Sequence, residues 1–443
     1  MTNNHLTKRL FFYPFLISGI CFLFAISANS QDLALQTAMA RPAGIRIAVD
    51  STTVTPVSVD SLIQLAVINS RKLWSLNTNV EIAQHELNAS GWFPNPEFRL
   101  SDVNTRYFAE DYREMQLGLR LRVPDLGELG EDKQQARVRL WEEKFSEIRY
   151  RQELVAKVRR DIADVVLQDK LAELTEKKVQ LLDQRIATIE QMIQTGGRSI
   201  VYFTKAKMMF AQAKNDDARA IQNQSAARRQ LVKRTDIELD TPIEDCELIE
   251  VNLSLDELNH LATNLRPETE LVDQQIKLAE KRNRLEWMKL FPWVNFVEMS
   301  YHREKKLKKD WGEFKMGIEL PLFNWNVGNI KAANLAVKKR EAKLEAVQET
   351  LDEEVRTAYM VYEDLLLDWK TFKQDADVLI KEAAHVVEQA WIYETLRPDE
   401  VLEMEMTIIE TQQILAEKKH ALTYALIDLC YATGAESPEQ LSK

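Results

Sequence analysis

The stretch from Leu344 to Ala390, LEAVQETLDEEVRTAYMVYEDLLLDWKTFKQDADVLIKEAAHVVEQA, decides the fold. Apolar residues recur in it at steps of three or four, namely Leu344, Val347, Leu351, Val355, Ala358, Tyr362, Leu365, Trp369, Phe372, Ala376, Leu379, Ala383, Val386 and Ala390. Such spacing turns one apolar stripe of a helix towards a neighbouring helix, as in a coiled coil. The surrounding run 328–394 is poor in Gly and Pro, and as a single helix it would extend about 100 Å at 1.5 Å per residue. The stretch therefore predicts a rod or a tube and not a compact domain.

The sequence features on either side of this helix occur twice along the chain. The string SVDSL at Ser58 returns as SLDEL at Ser254, and Phe93-Pro94 returns as Phe291-Pro292. We call such an apolar stripe a seam. A second long seam begins near Val155 and continues to Ile193, with Asp169 and Glu176 at seam positions. The order of helix, strand and loop signals is the same in both copies at a nearly constant separation. This periodicity predicts an internal duplication.

Aligning the two copies gives domain boundaries. The first repeat, 58–252, is expected to contain a helix at 60–90, strands within 97–123, a long helix at 130–196, a helix at 199–233 and a linker at 235–253. The second repeat, 253–434, is expected to contain a helix at 254–290, strands within 293–320, a long helix at 328–394 and a helix at 398–433. An N-terminal extension, 31–57, and a C-terminal tail, 435–443, flank them. The two shorter helices of a repeat together match its long helix, so we expect them to stack end to end beside it, with the linker at mid-height.

Period-two alternation marks the strands. Met115, Leu117, Leu119, Leu121 and Val123 alternate with polar or small residues, and so do Phe314, Met316, Ile318 and Leu320. One face of each strand is therefore expected in an apolar phase and the other in water. Charged residues between the last two strands, namely His302, Arg303, Lys305, Lys306, Lys308 and Lys309, are expected in a turn. Such a turn is either a plain solvated loop or a site for anionic lipid headgroups.

Residues 1–30 are typical of a secretory signal peptide. Lys8 and Arg9 precede an apolar run, and Ala28-Asn29-Ser30 is a small-residue cleavage site. A membrane anchor is the alternative, because the apolar run could just span a bilayer. Lipidation of Cys21 stays open. Removal of the segment takes the net charge from −11 to −13, which argues against general nucleic-acid binding.

These features resemble the TolC family of bacterial outer-membrane efflux proteins. The resemblance covers about residues 57–434, and its most specific string is GIELPLF, from Gly317 to Phe323, followed by Gly328. The first copy departs from it, with VPDLG from Val123. The resemblance implies a mainly α fold with a small β part, in which two tandem repeats of helix, β-hairpin, long helix and helix form an α-barrel of coiled-coil helices. In a homotrimer, the strands would form a shared 12-stranded transmembrane β-barrel.

The resemblance further implies an outer-membrane channel that extends into the periplasm and serves as the exit duct of a tripartite efflux or export system. Its partners would be a periplasmic adaptor protein, an inner-membrane pump and outer-membrane lipid, with no nucleic acid and no cofactor. One point follows from the chain itself. Four strands are too few to close a barrel with a lumen, and unpaired strand edges are not tolerated in lipid, so a membrane role requires several chains. A periplasmic adaptor and a structural coiled coil are the alternatives.

The sequence contains no enzyme constellation. Its six histidines are scattered without metal-ligand spacing, and no nucleophile elbow, P-loop or dinucleotide fingerprint is found. We therefore expect neither catalysis nor a bound metal.

Two candidate sites come from the resemblance. Glu400 and Glu403 match positions where family members carry gate aspartates at the periplasmic mouth, where carboxylates in three copies would attract cations. The alternative is an acidic helix start, which suits the helix dipole. The turns between the last two helices of each repeat are the expected adaptor-docking tips, formed by Gly196, Gly197, Arg198, Leu396, Arg397 and Pro398. Their glycines and proline also simply reverse the chain.

Overall fold

A computed structural model describes residues 57–442 except 108–109, 195–199, 237–242, 245–247, 305–307, 324 and 394–396. The predicted signal peptide, Cys21 and almost all of the N-terminal extension lie outside the described residues. So do Gly196, Gly197, Arg198 and Leu396 of the predicted tips. The described part of the chain forms a single unit.

The structure is mainly helical with one small sheet, as the sequence predicted. The first half contains α1 (Val59–Asn69), α2 (Arg71–Ala89), β1 (Glu97–Tyr107), β2 (Glu110–Arg122), α3 (Glu128–Gln194) and α4 (Ile200–Thr235). The second half contains α5 (Leu255–Leu265), α6 (Pro267–Met288), β3 (Trp293–Glu304), β4 (Lys309–Glu319), α7 (Val327–Tyr393) and α8 (Pro398–Thr433). A short 3-10 helix, Pro438–Leu441, follows. The two halves therefore repeat the same order of elements.

The predicted single helices at 60–90 and 254–290 are wrong, because each is two helices. Ser70 interrupts the first, and its Oγ accepts a hydrogen bond from the backbone N of Leu73 to cap α2. Pro267 interrupts the second, since proline has no backbone N–H to continue α5 and instead occupies the first turn of α6.

In each repeat, the residue next to this interruption donates a hydrogen bond to the end of the last helix. Asn69 Nδ2 donates to the carbonyl oxygen of Thr235 at 2.8 Å, at the end of α4. Arg266 Nη1 donates to the carbonyl oxygen of Ala432 at 2.9 Å, near the end of α8. The buried Arg266 guanidinium is also paired with Glu268 at 2.8 Å and Glu354 at 3.1 Å. The hydrogen bonds from Asn69 and Arg266 satisfy carbonyl oxygens at helix ends, which have no partner within their own helix.

The helices form four columns side by side. The first column stacks α1 and α2 on α4, and α3 packs against all three. The third column stacks α5 and α6 on α8, and it packs against α3 on one side and α7 on the other. The first column and α7 are therefore the two lateral edges.

The buried stripe of α7 follows the predicted seam over most of its length. Leu351, Val355, Tyr362 and Ala376 are buried, with Val355 fully so. The seam prediction is wrong nearer the end of the helix, where Leu379 is 60% exposed and Val386 is 44% exposed. Val387 is buried there in place of Val386, and the predicted seam residue Ala390 is buried too, both in a cluster with Val401 of α8. Leu379 and Val386 leave the buried stripe because a helix of 3.6 residues per turn drifts against a strict seven-residue repeat.

The four strands form one antiparallel sheet in the order β1-β2-β3-β4. Leu119 lies opposite both Phe98 and Met299, and Met299 lies opposite Phe314, so apolar residues share one face. The other face carries Glu114, Gln116, Ser300, His302 and Glu313, which are brought together by the same register. Strands β1 and β4 each have one edge that no other described strand covers.

Candidate functional site

The start of α8 holds the predicted gate residue Glu400. Its Oε2 accepts a hydrogen bond from the backbone N of Arg397 at 3.1 Å, and its Oε1 lies 3.2 Å from Arg397 Nε. Glu400 therefore caps the helix start, the role that the alternative interpretation assigned to it. A carboxylate here also faces the positive end of the helix dipole.

Glu403, the other predicted gate residue, is one turn further along α8. Its carboxylate is paired with Lys205 of α4, and this hydrogen bond raises the pKa of the exposed Lys205 ammonium. The pair joins the last helices of the two repeats. Glu400 and Glu403 thus both have cationic partners within the chain.

Glu405 was not among the predicted site residues, yet it is the most buried carboxylate near this end of α8. Its side chain is 5% exposed and receives Arg185 of α3 in a two-pronged ion pair, with Nε at 3.1 Å from both oxygens and Nη2 at 2.5 Å from Oε1. Glu405 lies in the buried stripe of Leu402, Met406 and Ile409. The sequence signal available for this buried pair was a glutamate placed within the apolar stripe of the helix.

Of the predicted tip residues, Arg397 and Pro398 lie within the described part of the chain. Arg397 has an exposed guanidinium, 3.4 Å from Asp399. Pro398 is buried and occupies the first turn of α8, where its missing N–H costs nothing. The remaining tip residues stay predictions.

The prediction that His302, Arg303 and Lys309 lie in a turn is wrong, since the first two belong to β3 and Lys309 begins β4. Lys305 and Lys306 lie outside the described residues. His302 is a buried residue of β3, because the strand continues to Glu304. Its Nδ1 is bonded to Glu114 of β2, and its Nε2 lies 2.9 Å from Ser300 Oγ and 2.8 Å from Glu313 Oε2 of β4. Its ring stacks on Trp311 at 5.1 Å between centroids. This network links three strands across the polar face of the sheet.

The opposite face of the sheet is apolar and exposed. The exposed fraction is 71% for Phe98, 52% for Leu119, 67% for Met299 and 63% for Phe314. Contiguous exposed apolar surface of this kind marks contact with lipid or with another protein. Among the described residues, no helix is long and apolar enough to cross a membrane.

The part of the chain that the structure describes contains no group of three or more His, Cys, Asp or Glu side chains arranged to hold a metal ion. The buried thiol of Cys430 has its pKa raised to about 12 by desolvation, so it is not a reactive nucleophile near neutral pH.

Comparison with solved structures places the fold among bacterial outer-membrane channels. The chain resembles CusC, whose structures concern folding and transmembrane channel formation, with 18% identity and a TM-score of 0.67 over 85% of this chain and 92% of that one. It resembles the Campylobacter jejuni CmeC outer membrane channel with 12% identity and a TM-score of 0.64, over 86% and 88%. For the outer membrane protein VceC from Vibrio cholerae the values are 14% and 0.64, over 85% and 96%.

No family model and no curated protein sequence matches the chain. At identities this low, the comparisons show a shared fold. The expectation of a TolC-like architecture is confirmed at that level.

Proposed function

We propose that this protein is the outer-membrane exit duct of a tripartite efflux or export system, conducting small molecules from the periplasm to the exterior. The observation that carries the proposal is the four-stranded sheet, which has one exposed apolar face and two uncovered edges. It is attached to four helical columns in the fold that bacterial outer-membrane channels share.

The sheet argues for assembly of several copies. In lipid, every backbone N–H and C=O must be bonded within protein, so the outer edges of β1 and β4 need partners. Pairing β4 of one copy with β1 of the next satisfies both edges. Three copies give twelve strands, enough to enclose a lumen lined by the polar face that carries Glu114, His302 and Glu313.

The helical columns support the same arrangement. The first column exposes Ile68, Trp74, Ile82 and Met208, each at least 50% exposed, and α7 at the other edge exposes Met360 and Leu367. Lateral contact between α7 and the first column of the next copy would bury both sets. The closed tube would continue the lumen through the periplasm towards a periplasmic adaptor and an inner-membrane pump.

We further propose that Glu400 and Glu403 surround the periplasmic mouth. Three copies would place six glutamates there, partly balanced by Arg397 and Lys205. The tips that contact the adaptor would be formed by Gly196, Gly197, Arg198, Leu396, the exposed Arg397 and the neighbouring Pro398.

Extraction from membranes tests the proposal directly. The full chain should fractionate with the outer membrane, require detergent for extraction and give the mass of three chains by native mass spectrometry. In planar bilayers it should open ion-conducting channels. A periplasmic monomer that needs no detergent would overturn the proposal and favour the adaptor or the structural coiled coil.

A further inference from the structure

Positively charged side chains lie together where α3 and α6 pack side by side, next to the sheet. The group that we name the basic cluster consists of Lys133 and Arg137 of α3 and Lys281 and Arg284 of α6. Burial lowers the pKa of the Lys281 ammonium, and the charges of the three other members lower it further. Like charges this close repel one another, so an anion bound here would be stabilised by all of them.

No carboxylate in the described part of the chain is ion-paired with the basic cluster. Lys281 Nζ donates instead to neutral oxygens, the carbonyl of Gly130 at 3.2 Å and Oε1 of Gln134 at 3.4 Å. Asp273, on the same side of α6, is paired with Lys277. The positive charge of the cluster is therefore not neutralised by ion pairs, although the whole chain has a net charge of −11.

The basic cluster lies on the side of the molecule on which the sheet is apolar. Arg122 follows Gln116 by an even number of residues along β2 and so shares its polar face. Arg122 Nη2 lies 2.9 Å from Oε1 of Glu128, so Glu128 marks the side of α3 that continues the polar face. At about 100° per residue, Arg137 lies on the side of α3 opposite Glu128. The cluster therefore faces away from the proposed lumen.

The depth of the basic cluster matches that of lipid headgroups. Lys133 lies close to the start of α3 and Arg284 close to the end of α6, and these helix ends join the sheet. At 1.5 Å per residue, both positions are about 6–8 Å from those helix ends. A headgroup layer is about 5–8 Å thick on each side of the hydrocarbon core. Long Lys and Arg side chains reach along a helix surface, so all members of the cluster can extend to this layer.

We propose that the basic cluster binds the phosphate groups of anionic phospholipid in the membrane leaflet nearer the helices. This inference rests on the proposed function, because it needs the apolar face of the sheet to be in lipid. The exposed guanidinium of Arg284 can donate two N–H groups to one phosphate, and the lysines add point charges. Each trimer would carry one such site per copy. Soluble phosphate is the competing source of the anion.

Native mass spectrometry of the detergent-extracted full chain tests the assignment. The cluster variant, Lys133→Gln with Arg284→Gln, removes two exposed cations and leaves the hydrogen bonds of Lys281 in place. The control variant, Lys207→Gln with Lys214→Gln, removes two exposed cations from the half of α4 that begins at the tip. Each protein is titrated with dioleoyl phosphatidylglycerol, with dioleoyl phosphatidylcholine and with inorganic phosphate.

The wild type and the control variant should retain phosphatidylglycerol several-fold better than phosphatidylcholine, which carries its own cation beside the phosphate. The cluster variant should form trimers and lose this preference. No preference in the wild type, or a preference that the cluster variant keeps, would overturn the inference. Binding of inorganic phosphate in place of phosphatidylglycerol would overturn it too, in favour of a soluble anion.

Single-channel recording separates this inference from the proposed function. The cluster variant should conduct with the ion selectivity of the wild type, because the basic cluster faces lipid. A shift of selectivity towards cations, with lipid retention unchanged, would overturn the inference by placing the cluster in the lumen, and it would leave the duct standing. Wild-type protein that neither forms trimers nor conducts would instead contradict the proposed function.

Discussion

At the scale of single residues, Gly317 is fixed by one close contact. The ring of Phe296 lies over it, and a Cβ on residue 317 would overlap the ring carbons. Arg120 stacks on the same ring at 4.0 Å from its centroid. The string from Gly317 to Phe323 carried the resemblance in the sequence, and this contact is the physical reason for its first residue.

The substitution Gly317→Ala should therefore destabilise the protein, whereas Gly312→Ala should not. Overpacking of this kind costs roughly 1–3 kcal/mol, and a Cβ at Gly312 meets no atom within 4 Å. Both glycines lie on β4, so strand propensity changes alike in the two variants. Thermal melting in detergent checks the difference, and equal melting temperatures would contradict the contact.

Asp164 gives a second residue-scale prediction, on pH. His420 Nε2 and Tyr424 OH each lie 2.8 Å from its Oδ1, and these bonds join α3 to α8. Burial raises the pKa of Asp164, but the two hydrogen bonds outweigh it, so the pKa is lower than in the unfolded chain. Its contribution to stability is full above the ordinary aspartate pKa of about 3.9 and is lost as pH falls through the lower folded value.

Asp164→Asn should consequently destabilise the protein at pH 7 and much less at the acid end of the titration. Urea unfolding of wild type and variant at a series of pH values measures the difference. Asp352→Asn, at an exposed carboxylate of α7, is the control and should change stability little at any pH. If the difference in unfolding free energy between wild type and Asp164→Asn does not change with pH, the hydrogen bonds of the Asp164 carboxylate are not its cause.

At the scale of elements, helices and strands with a regular period could be predicted from the sequence, whereas local interruptions of helices could not. Long helices and strands follow from repeated spacing summed over many residues. The break at Ser70 depends on one cap, and the break before Pro267 on a residue that helices also accept in their first turn. His302 was placed in a turn because charged neighbours follow it, although its partners come from other strands. Such partners cannot be found from spacing along one strand.

Helix α7 has two apolar faces with different roles. Leu351 and Tyr362 are buried within the chain, whereas Met360, Leu367 and Val378 lie on the opposite side of the helix and are at least 53% exposed. A helix that is apolar on both sides is expected between two neighbours. Since α7 is an edge column, the second neighbour would be the adjacent copy in the proposed trimer.

Leu351→Ala should destabilise the fold of the chain by about 2–5 kcal/mol, as for other buried leucines. Leu367→Asp should leave the fold intact and reduce the yield of trimers. Circular dichroism reports the first effect and native mass spectrometry the second. If Leu367→Asp assembles like wild type, α7 does not form the contact between copies through this face.

At the scale of the whole molecule, the two repeats leave a problem that the proposed assembly of copies would solve. Each repeat provides a strand pair and two columns, and the joined repeats still leave apolar surface at both edges. The need for several copies could be argued from the strand count alone. The cationic partner of Glu403 could not, because Lys205 lies far from it in sequence and meets it only through the packing of α4 beside α8.

The proposed mouth provides the last prediction. If Glu400 and Glu403 line it, the double variant Glu400→Gln, Glu403→Gln should reduce cation selectivity and weaken block by trivalent cations, which need clustered carboxylates. Lys205→Gln removes the partner of Glu403 and should shift selectivity the opposite way, towards cations. Single-channel recording at low salt gives the clearest contrast, because salt screens exposed charges. Leaving Arg185 and Glu405 unchanged preserves the buried pair between α3 and α8, so trimers should still form. Unchanged selectivity and block in both variants would leave Glu400 as a helix cap and Glu403 as half of a surface ion pair.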